Sequence, residues 1–415
     1  MKNCKIHLLT LLIILLNSYN SLSQDVYFIN QDKKHQTLKF EFISNMIIIP
    51  ISINGSQVMN FILDTGLRQT ILTKVPENET ITFNYTEKTT IKGLGKDKDL
   101  NVWHTNKNEF VIKDIVLENQ NLFVLEEDRF NLSSQMGIEI NGIIGSVMFE
   151  NFIVEIDYIK QEITFHKPET FKYKKRHQKW ESFPLSIYKT KPYISLPISI
   201  NKDSSIVAKL LIDSGASDAI WLFPGTNDSI VYPTKGTELF LGQGLNGDIF
   251  GKQSKVESIT IGKYILNRAN ISYPDTSALH NSFSNDIIGR NGSIGSELLR
   301  RFDVIFDYSN KKILLKKNSA FNDAFNYNLS GLDIEKPYPQ LAIFIIFQVR
   351  NGSPADLAGL KQGDQILNLN GMSIINYTLN DIILMMRSRE GRKIKMTVMR
   401  EGQKIEAKFK LKEMD

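Results

Sequence analysis

Phe61-Ile62-Leu63-Asp64-Thr65-Gly66 and, 149 residues further on, Leu210-Leu211-Ile212-Asp213-Ser214-Gly215 decide the fold. In each stretch an apolar run ends on an acid, a small hydroxyl residue and a glycine. The glycine lets the chain turn sharply after the acid, so a buried strand ends by presenting a carboxylate at its tip. One such triplet occurs easily by accident in a chain of 415 residues. Two at matched places in a repeat do not. Upstream, Pro50-Ile51-Ser52-Ile53-Asn54 recurs unchanged as Pro197-Ile198-Ser199-Ile200-Asn201. Downstream, GIIGSVMFENFIVEIDYIKQEITFHK (142–167) aligns without gaps, at an offset of 150, with GSIGSELLRRFDVIFDYSNKKILLKK (292–317). The repeat is far longer than a solenoid unit, so it is one compact lobe, duplicated.

The lobes read as β structure. Alternating or apolar runs cover 47–53, 58–63, 110–116, 153–156 and 304–306, and long helical periodicity is absent. Asn54-Gly55 is a hairpin signal, because both turn positions need positive φ. Ser146 and Ser296 are expected to cap short helical turns. Between the lobes, 171–180 holds the basic run KYKKRHQK and is expected to be a solvated connector. The fold class is therefore mainly β: two lobes related by a pseudo-two-fold, 24–170 and 181–325, followed by an α+β module at 326–415. The repeat closes at Lys317, so a chain cut after about residue 322 is expected to keep both lobes.

Composition narrows the function. With 50 Lys and Arg against 45 Asp and Glu, the net charge of +5 is not the footprint of a nucleic-acid binder. The single cysteine, Cys4, excludes a disulfide framework and a thiolate zinc site. H-E-x-x-H and G-x-S-x-G are both absent, so no helix-borne zinc protease and no hydrolase nucleophile elbow is expected. Neither a metal nor another cofactor is expected. Lys2 and Lys5 precede an apolar run from Leu8 to Leu16, then Ser21-Leu22-Ser23. This is the pattern of a signal peptide over 1–23, cleaved after Ser23. The mature chain is expected to be exported, periplasmic or secreted, without a membrane span and as a monomer.

Two lobes related by a pseudo-two-fold bring both strand tips to the axis, where Asp64 and Asp213 meet. Two close carboxylates cannot easily both ionise, so one pKa rises and the pair holds one proton. The ionised partner then takes a proton from a water held between them, and the protonated partner donates to a carbonyl oxygen. That suits direct attack of water on a peptide bond.

On Leu63-Asp64-Thr65-Gly66, Ile212-Asp213-Ser214-Gly215, Ile143-Ile144-Gly145 and Ser293-Ile294-Gly295, the chain resembles the pepsin/retropepsin clan of aspartic peptidases, in a two-lobe bacterial type, over roughly residues 36–317. The resemblance implies that Asp64 and Asp213 are catalytic. It implies that Thr65 and Ser214 lock the lobes by reaching each other's backbone, with Gly66 and Gly215 completing the triplets. Gly145 and Gly295 would pack behind the triplet strands; Ile287-Ile288-Gly289-Arg290 is a competing glycine element in the second lobe. Leu67-Arg68 departs from the small or polar residues usual after the first triplet, whereas Ala216-Ser217 keeps to them. Leu67 and Ala216 cannot donate to the carboxylates, so the shared-proton state is expected to extend toward neutral pH.

Gly242-Gln243-Gly244-Leu245-Asn246-Gly247 matches G-x-G-x-x-G. A dinucleotide site needs a helix next, but a strand pattern follows. Gly93-Leu94-Gly95 begins 29 residues after Asp64, as Gly242 does after Asp213, so both read as glycine-rich hairpin tips. The resemblance makes Gly93, Leu94 and Gly95 the flap over the cleft; no flap tyrosine is evident, and Trp103 is read as a strand residue rather than as a stand-in for one.

Beyond Asn326 the pattern changes. An apolar run over 341–349, Ser353-Pro354-Ala355, Ala358-Gly359-Leu360, Gly363-Asp364, Asn370-Gly371 and a Thr378/Asp381 capping box resemble a bacterial-type PDZ domain. The resemblance implies capture of a peptide C-terminus, with the carboxylate loop expected near residues 338–341. Pro337 and Pro339 lack the N–H that such a loop uses. The other expectation is that the module packs structurally on the second lobe. The chain is thus expected to be an aspartic endopeptidase acting on protein or peptide substrates; the alternative is a non-catalytic peptide-binding protein.

Overall fold

The computed structural model describes residues 26–97, 99–279 and 289–414. The leader read over 1–23, with Cys4, and the residues Ile287 and Ile288 lie outside the described residues.

Strand Met46–Ile53 shows how the sequence sets the fold. Ile47, Ile49, Ile51 and Ile53 recur at every second position, and each is at most 1% exposed. A strand sends alternate side chains to opposite faces, so this spacing commits one whole face to the core. The strand turns at Asn54 (φ 51°) and Gly55 (φ 76°), as the hairpin signal requires, and pairs antiparallel with Met59–Leu63. Strand Gly142–Ile144 then lies parallel to Met59–Leu63, in the register Gly142–Phe61, Ile143–Ile62 and Ile144–Leu63. The second lobe repeats this. Ser205–Ile212 pairs with Lys191–Ser199, and Gly292–Ile294 lies parallel to it, in the register Leu210–Gly292 and Ile212–Ile294.

The pseudo-two-fold axis can be located from register alone. Strands Ile153–Asp157 and Phe302–Asp307 pair antiparallel, with Val154 on Phe306, Glu155 on Ile305 and Ile156 on Val304. Glu155 and Ile305 are equivalent positions of the 150-residue repeat, so the axis passes between them. These two strands stand at the middle of a sheet that joins the lobes, in the order Glu181–Pro184, Lys312–Lys317, Phe302–Asp307, Ile153–Asp157, Glu162–His166, His35–Lys39. One hydrophobic core, running from Phe28 to Phe325, fills both lobes, and a separate core from Leu329 to Leu411 fills the C-terminal module.

Several local expectations change. Residues 110–116 are not one strand: Lys113 at φ 55° turns the chain between Leu100–Ile112 and Ile115–Leu125. Ser146 and Ser296 do not cap their helices through their side chains. Ser146 Oγ reaches Glu150 Oε1 (2.7 Å) and Arg68 O (3.2 Å), and Ser296 Oγ donates to Ser214 O (3.1 Å), so the first lies against the loop after its triplet and the second braces the triplet itself. The connector is only partly solvated. Its lysines are exposed, but His177 and Trp180 are buried among Phe171, Tyr173 and His166, because aromatic faces between the lysines have the joining sheet to cover.

In the C-terminal module, helix Leu379–Met386 begins with the reciprocal Thr378/Asp381 capping box. Ser353 accepts from the Asp356 N–H at the start of Pro354–Leu357. An edge strand that sequence reading missed, Leu332–Glu335, pairs with Phe344–Val349. Residues 338–341, expected to form a carboxylate loop, are the connection between these strands, with Tyr338 and Leu341 exposed. The loop that meets the helix is the one before the edge strand, where the Leu329 N–H donates to Met386 O (3.0 Å). The module packs on both lobes rather than on the second alone. The Lys336 N–H donates to Ser134 O (3.0 Å) and Asn380 Nδ2 to Phe42 O (3.3 Å) on the first lobe, while Lys255 pairs with Glu413 on the second.

Candidate active site

Asp64 and Asp213 each follow the last residue of a strand, and each is fixed from behind by the neighbouring parallel strand. The Asp64 N–H donates to Ile144 O (2.9 Å) and the Asp213 N–H to Ile294 O (2.8 Å). The duplicated sequence therefore builds the same corner twice.

Thr65 and Ser214 join the corners. The Thr65 N–H donates to Ser214 Oγ (3.0 Å), and the Ser214 N–H to Thr65 Oγ1 (3.0 Å). Thr65 Oγ1 then donates to Ile212 O and Ser214 Oγ to Leu63 O, each at 2.7 Å. Both residues are wholly buried. Four hydrogen bonds thus cross between the lobes with no water to compete, and every polar atom in the knot has a partner.

Gly66 and Gly215 hold the carboxylates together. The Gly66 N–H donates to Asp64 Oδ1 (2.6 Å) and the Gly215 N–H to Asp213 Oδ1 (3.2 Å). A Cβ on Gly66 would lie 2.8 Å from Asp213 Cγ, and one on Gly215 2.5 Å from Asp64 Cγ. Only a residue without a side chain lets the opposite carboxyl come this close. Each triplet glycine thus faces the carboxyl of the other triplet, which sets the two carboxyls beside one another. Burial pushes the Asp64 carboxyl well above its ordinary range, and the Asp213 charge pushes it further; the Gly66 amide and Lys191 act the other way. Two carboxyls placed this way cannot easily both ionise.

Gly145 and Gly295 back the loops. A Cβ on Gly145 would meet Leu67 O at 2.7 Å, and one on Gly295 would meet Ala216 O at 2.7 Å and clash with Asp218 O. Gly295, not Gly289, is therefore the packing glycine of the second lobe. Gly289 has open space around it, and Arg290 lies buried over the Phe223 ring, donating to Gly292 O. Gly142 and Gly292, at the first position of each G-x-x-G, also have no room for a side chain, against Ile71 O and Trp221 O. Arg68 is exposed, while Leu67 joins an apolar cluster with Ile71, Leu100, Val102, Leu125 and Phe130.

Gly93, Leu94 and Gly95 stand at the tip between strands Asn84–Ile91 and Leu100–Ile112. Gly242–Gly247 is a second hairpin, between Thr237–Gly244 and Gly247–Lys255. No helix follows it, so the dinucleotide reading is excluded. Trp103 is a strand residue, hydrogen-bonded to Glu126 and packed on Tyr85 away from the tip. Sequence reading missed Asn246, which is 1% exposed and ties the two tips together; Asn246-Gly247, itself a hairpin turn signal, was the available sign. It also missed Asn45, whose Nδ2 reaches across from the first lobe to Ser217 O (3.0 Å) and Glu297 Oε2 (2.9 Å).

Residues 49–147 match the family model described as aspartyl protease, and residues 345–400 match that of the PDZ domain. The carboxy-terminal processing protease CtpB of Bacillus subtilis (strain 168) is 30% identical over 102 residues, covering 24% of this chain and 21% of that protein. A probable CtpA-like serine protease of Staphylococcus haemolyticus is 27% identical over 94 residues, 23% of this chain and 19% of that protein. The matches thus span about a fifth of these relatives. Among solved structures, the aspartic proteinase from Irpex lacteus aligns with 70% of this chain and 99% of its own, at a TM-score of 0.43 and 12% identity.

Proposed function

We propose that this chain, a two-lobe aspartyl-protease-like unit with a PDZ domain, is an exported aspartic endopeptidase. One observation carries the reading: two carboxyls from repeated corners meet across a buried hydroxyl knot, and Asp64 is held toward its protonated form. In the mechanism, the ionised member of the pair takes a proton from a water between them. The protonated member donates to the carbonyl oxygen of the scissile bond. Water adds to the carbonyl carbon, and the tetrahedral intermediate collapses as the amine leaves with a proton. The buried knot fixes the two corners, so little reorganisation accompanies the step.

The PDZ domain contributes a docking surface for a peptide or partner. Export rests on the charged and apolar pattern of the first 23 residues. The test is digestion of a proteome-derived peptide pool by wild type and by Asp213→Asn. New peptide termini are expected with wild type only. Identical products from both, or none from wild type, would contradict the reading.

A further inference from the structure

A PDZ domain takes a peptide as an added strand on an exposed sheet edge. Here that edge and the helix near it are engaged by the first lobe. At the edge strand, Ser134 Oγ donates to Glu335 Oε2 (3.2 Å) and Ser134 O accepts from the Lys336 N–H (3.0 Å). At the helix start, a Cβ on Gly137 would lie 2.7 Å from Leu379 Cβ, and Asn380 Oδ1 accepts from the Ser44 N–H (3.3 Å). The outer face of the module's last two strands is open instead.

Strands Lys393–Arg400 and Gln403–Lys410 pair antiparallel, with Ile394 opposite Phe409 and Met396 opposite Ala407 on the buried face. Alternation then puts Lys393 opposite Lys410 and Lys395 opposite Lys408 on the outer face, all four exposed. Like charges directly opposite one another destabilise a sheet. Among the described residues Lys395 alone of the four pairs with a carboxylate, Glu406 at 3.3 Å. The Asn370-Gly371 turn stands beside them, with Asn370 Oδ1 accepting from the Lys395 N–H (2.9 Å). These residues line an open depression of about 920 Å³. The charge is local: residues 387–412 hold ten Lys and Arg against three Asp and Glu, a net +7, whereas the whole chain carries +5.

We propose that this lysine ladder docks an acidic, extended stretch of substrate polypeptide, with carboxylates at alternate residues, one over each lysine pair. The two rows are two residues apart along each strand, about 7 Å, which is also the spacing of same-side side chains in an extended peptide. Each carboxylate would lie between two ammonium groups, whose mutual repulsion it relieves. The next row is Thr397 opposite Glu406, so the ladder reads two carboxylates and not a longer run. Nucleic acid fits less well, because the depression lacks an exposed aromatic ring for stacking: Phe409 is buried. A membrane fits less well too, because the other apolar residue of the lining, Ile394, is also buried and offers nothing to insert. The inference rests on the protease reading only in making the acidic stretch part of a substrate. It adds that recruitment runs through charge on the sheet face rather than through a peptide C-terminus.

The test is fluorescence anisotropy of a labelled dodecapeptide with Glu-Thr-Glu at its centre, titrated at low salt with the full chain carrying Asp213→Asn. Binding should saturate, and should weaken as salt approaches about 0.2 M. Adding Lys393→Gln and Lys408→Gln should weaken it at least tenfold without lowering the melting temperature. Lys404→Gln, on the same face two rows beyond Lys408, should change it less than twofold. A peptide with Glu-Glu-Thr instead, whose acids face opposite ways when extended, should bind at least fivefold more weakly. Equal binding by the ladder variant, an equal loss in Lys404→Gln, or equal binding of the adjacent-acid peptide would overturn the proposal. So would binding to phosphatidylglycerol vesicles, lost in the ladder variant, with no binding of the peptide. In the chain with Asp213 intact, the two ladder substitutions should raise KM at least fivefold, with kcat unchanged, on a substrate that carries the acidic stretch beside its cleaved segment. An unmoved KM would overturn the substrate role. If wild type cleaves nothing, the protease reading fails, while the peptide titration still decides the ladder.

Discussion

At Asp64 the folded chain holds a proton more tightly than the unfolded chain, whose carboxyl titrates near 3.8. The folded state then binds more protons, so stability falls as pH climbs above 3.8 toward the raised folded value. Asp64→Asn is neutral at every pH and removes that loss. Its melting temperature should exceed that of wild type at pH 7, and the gain should vanish at and below about pH 3.8; calorimetry across pH checks this, and a lower melting temperature at pH 7 would contradict it. Thr65 makes a second residue-scale prediction. Thr65→Ala removes two hydrogen bonds and leaves the buried Ser214 N–H without its acceptor, which costs about 1–3 kcal/mol. Thr65→Ser keeps the oxygen and should restore most of it in urea unfolding. Both triplets were legible because a strand, an acid, a hydroxyl and a glycine occupy consecutive positions. Asn45 was not, since its partner lies 172 residues away in sequence and nothing local distinguishes it from a surface asparagine; for Asn246 the Asn-Gly turn marked the hairpin but not the partner 153 residues away.

Among elements, the short strand Gly292–Ile294 and the loop it enters carry the tightest packing. Gly295→Ala would drive a methyl group into the Asp218 and Ala216 carbonyls. Backbone cannot yield as a side-chain end can, so the change should cost about 1–3 kcal/mol. It should also lower kcat more than it changes KM, because the loop that moves follows Asp213. Equal kcat in the folded variant would show that the loop position does not matter. Most strands were legible from period-two burial, as in Ile47 to Ile53. The reading failed at 110–116, where apolar residues flank Lys113-Asp114 on both sides and a turn resembles a continuous run. It failed at Leu332–Glu335 because Asp333 and Glu335 mask a four-residue edge strand.

For the whole molecule, the repeat ends at Lys317 but the second lobe does not. Arg301 is wholly buried, and its guanidinium is held by Glu297, by the carbonyls of Phe321 and Asp323, and by the Phe325 ring. A chain cut after residue 322 loses the Asp323 carbonyl and the ring, leaving a buried charge short of partners, which costs several kcal/mol. It should aggregate or melt far below a chain cut after residue 326, which keeps the whole cradle; equal melting temperatures would contradict this. The duplication announced two lobes and a meeting point, but not this cradle, because Asn151 stands in the first lobe where the second has Arg301. The central claim is that residues 149 apart in sequence, one from each lobe, act as a single proton-sharing pair. Turnover of one peptide by Asp64→Asn, Asp213→Asn and the double variant tests it most directly. Each single change should lower kcat by roughly a thousandfold or more, and the double should fall little further, because either loss already dismantles the unit. A single variant that keeps a tenth of wild-type turnover, or a double whose loss is the product of the two single losses, would contradict the account.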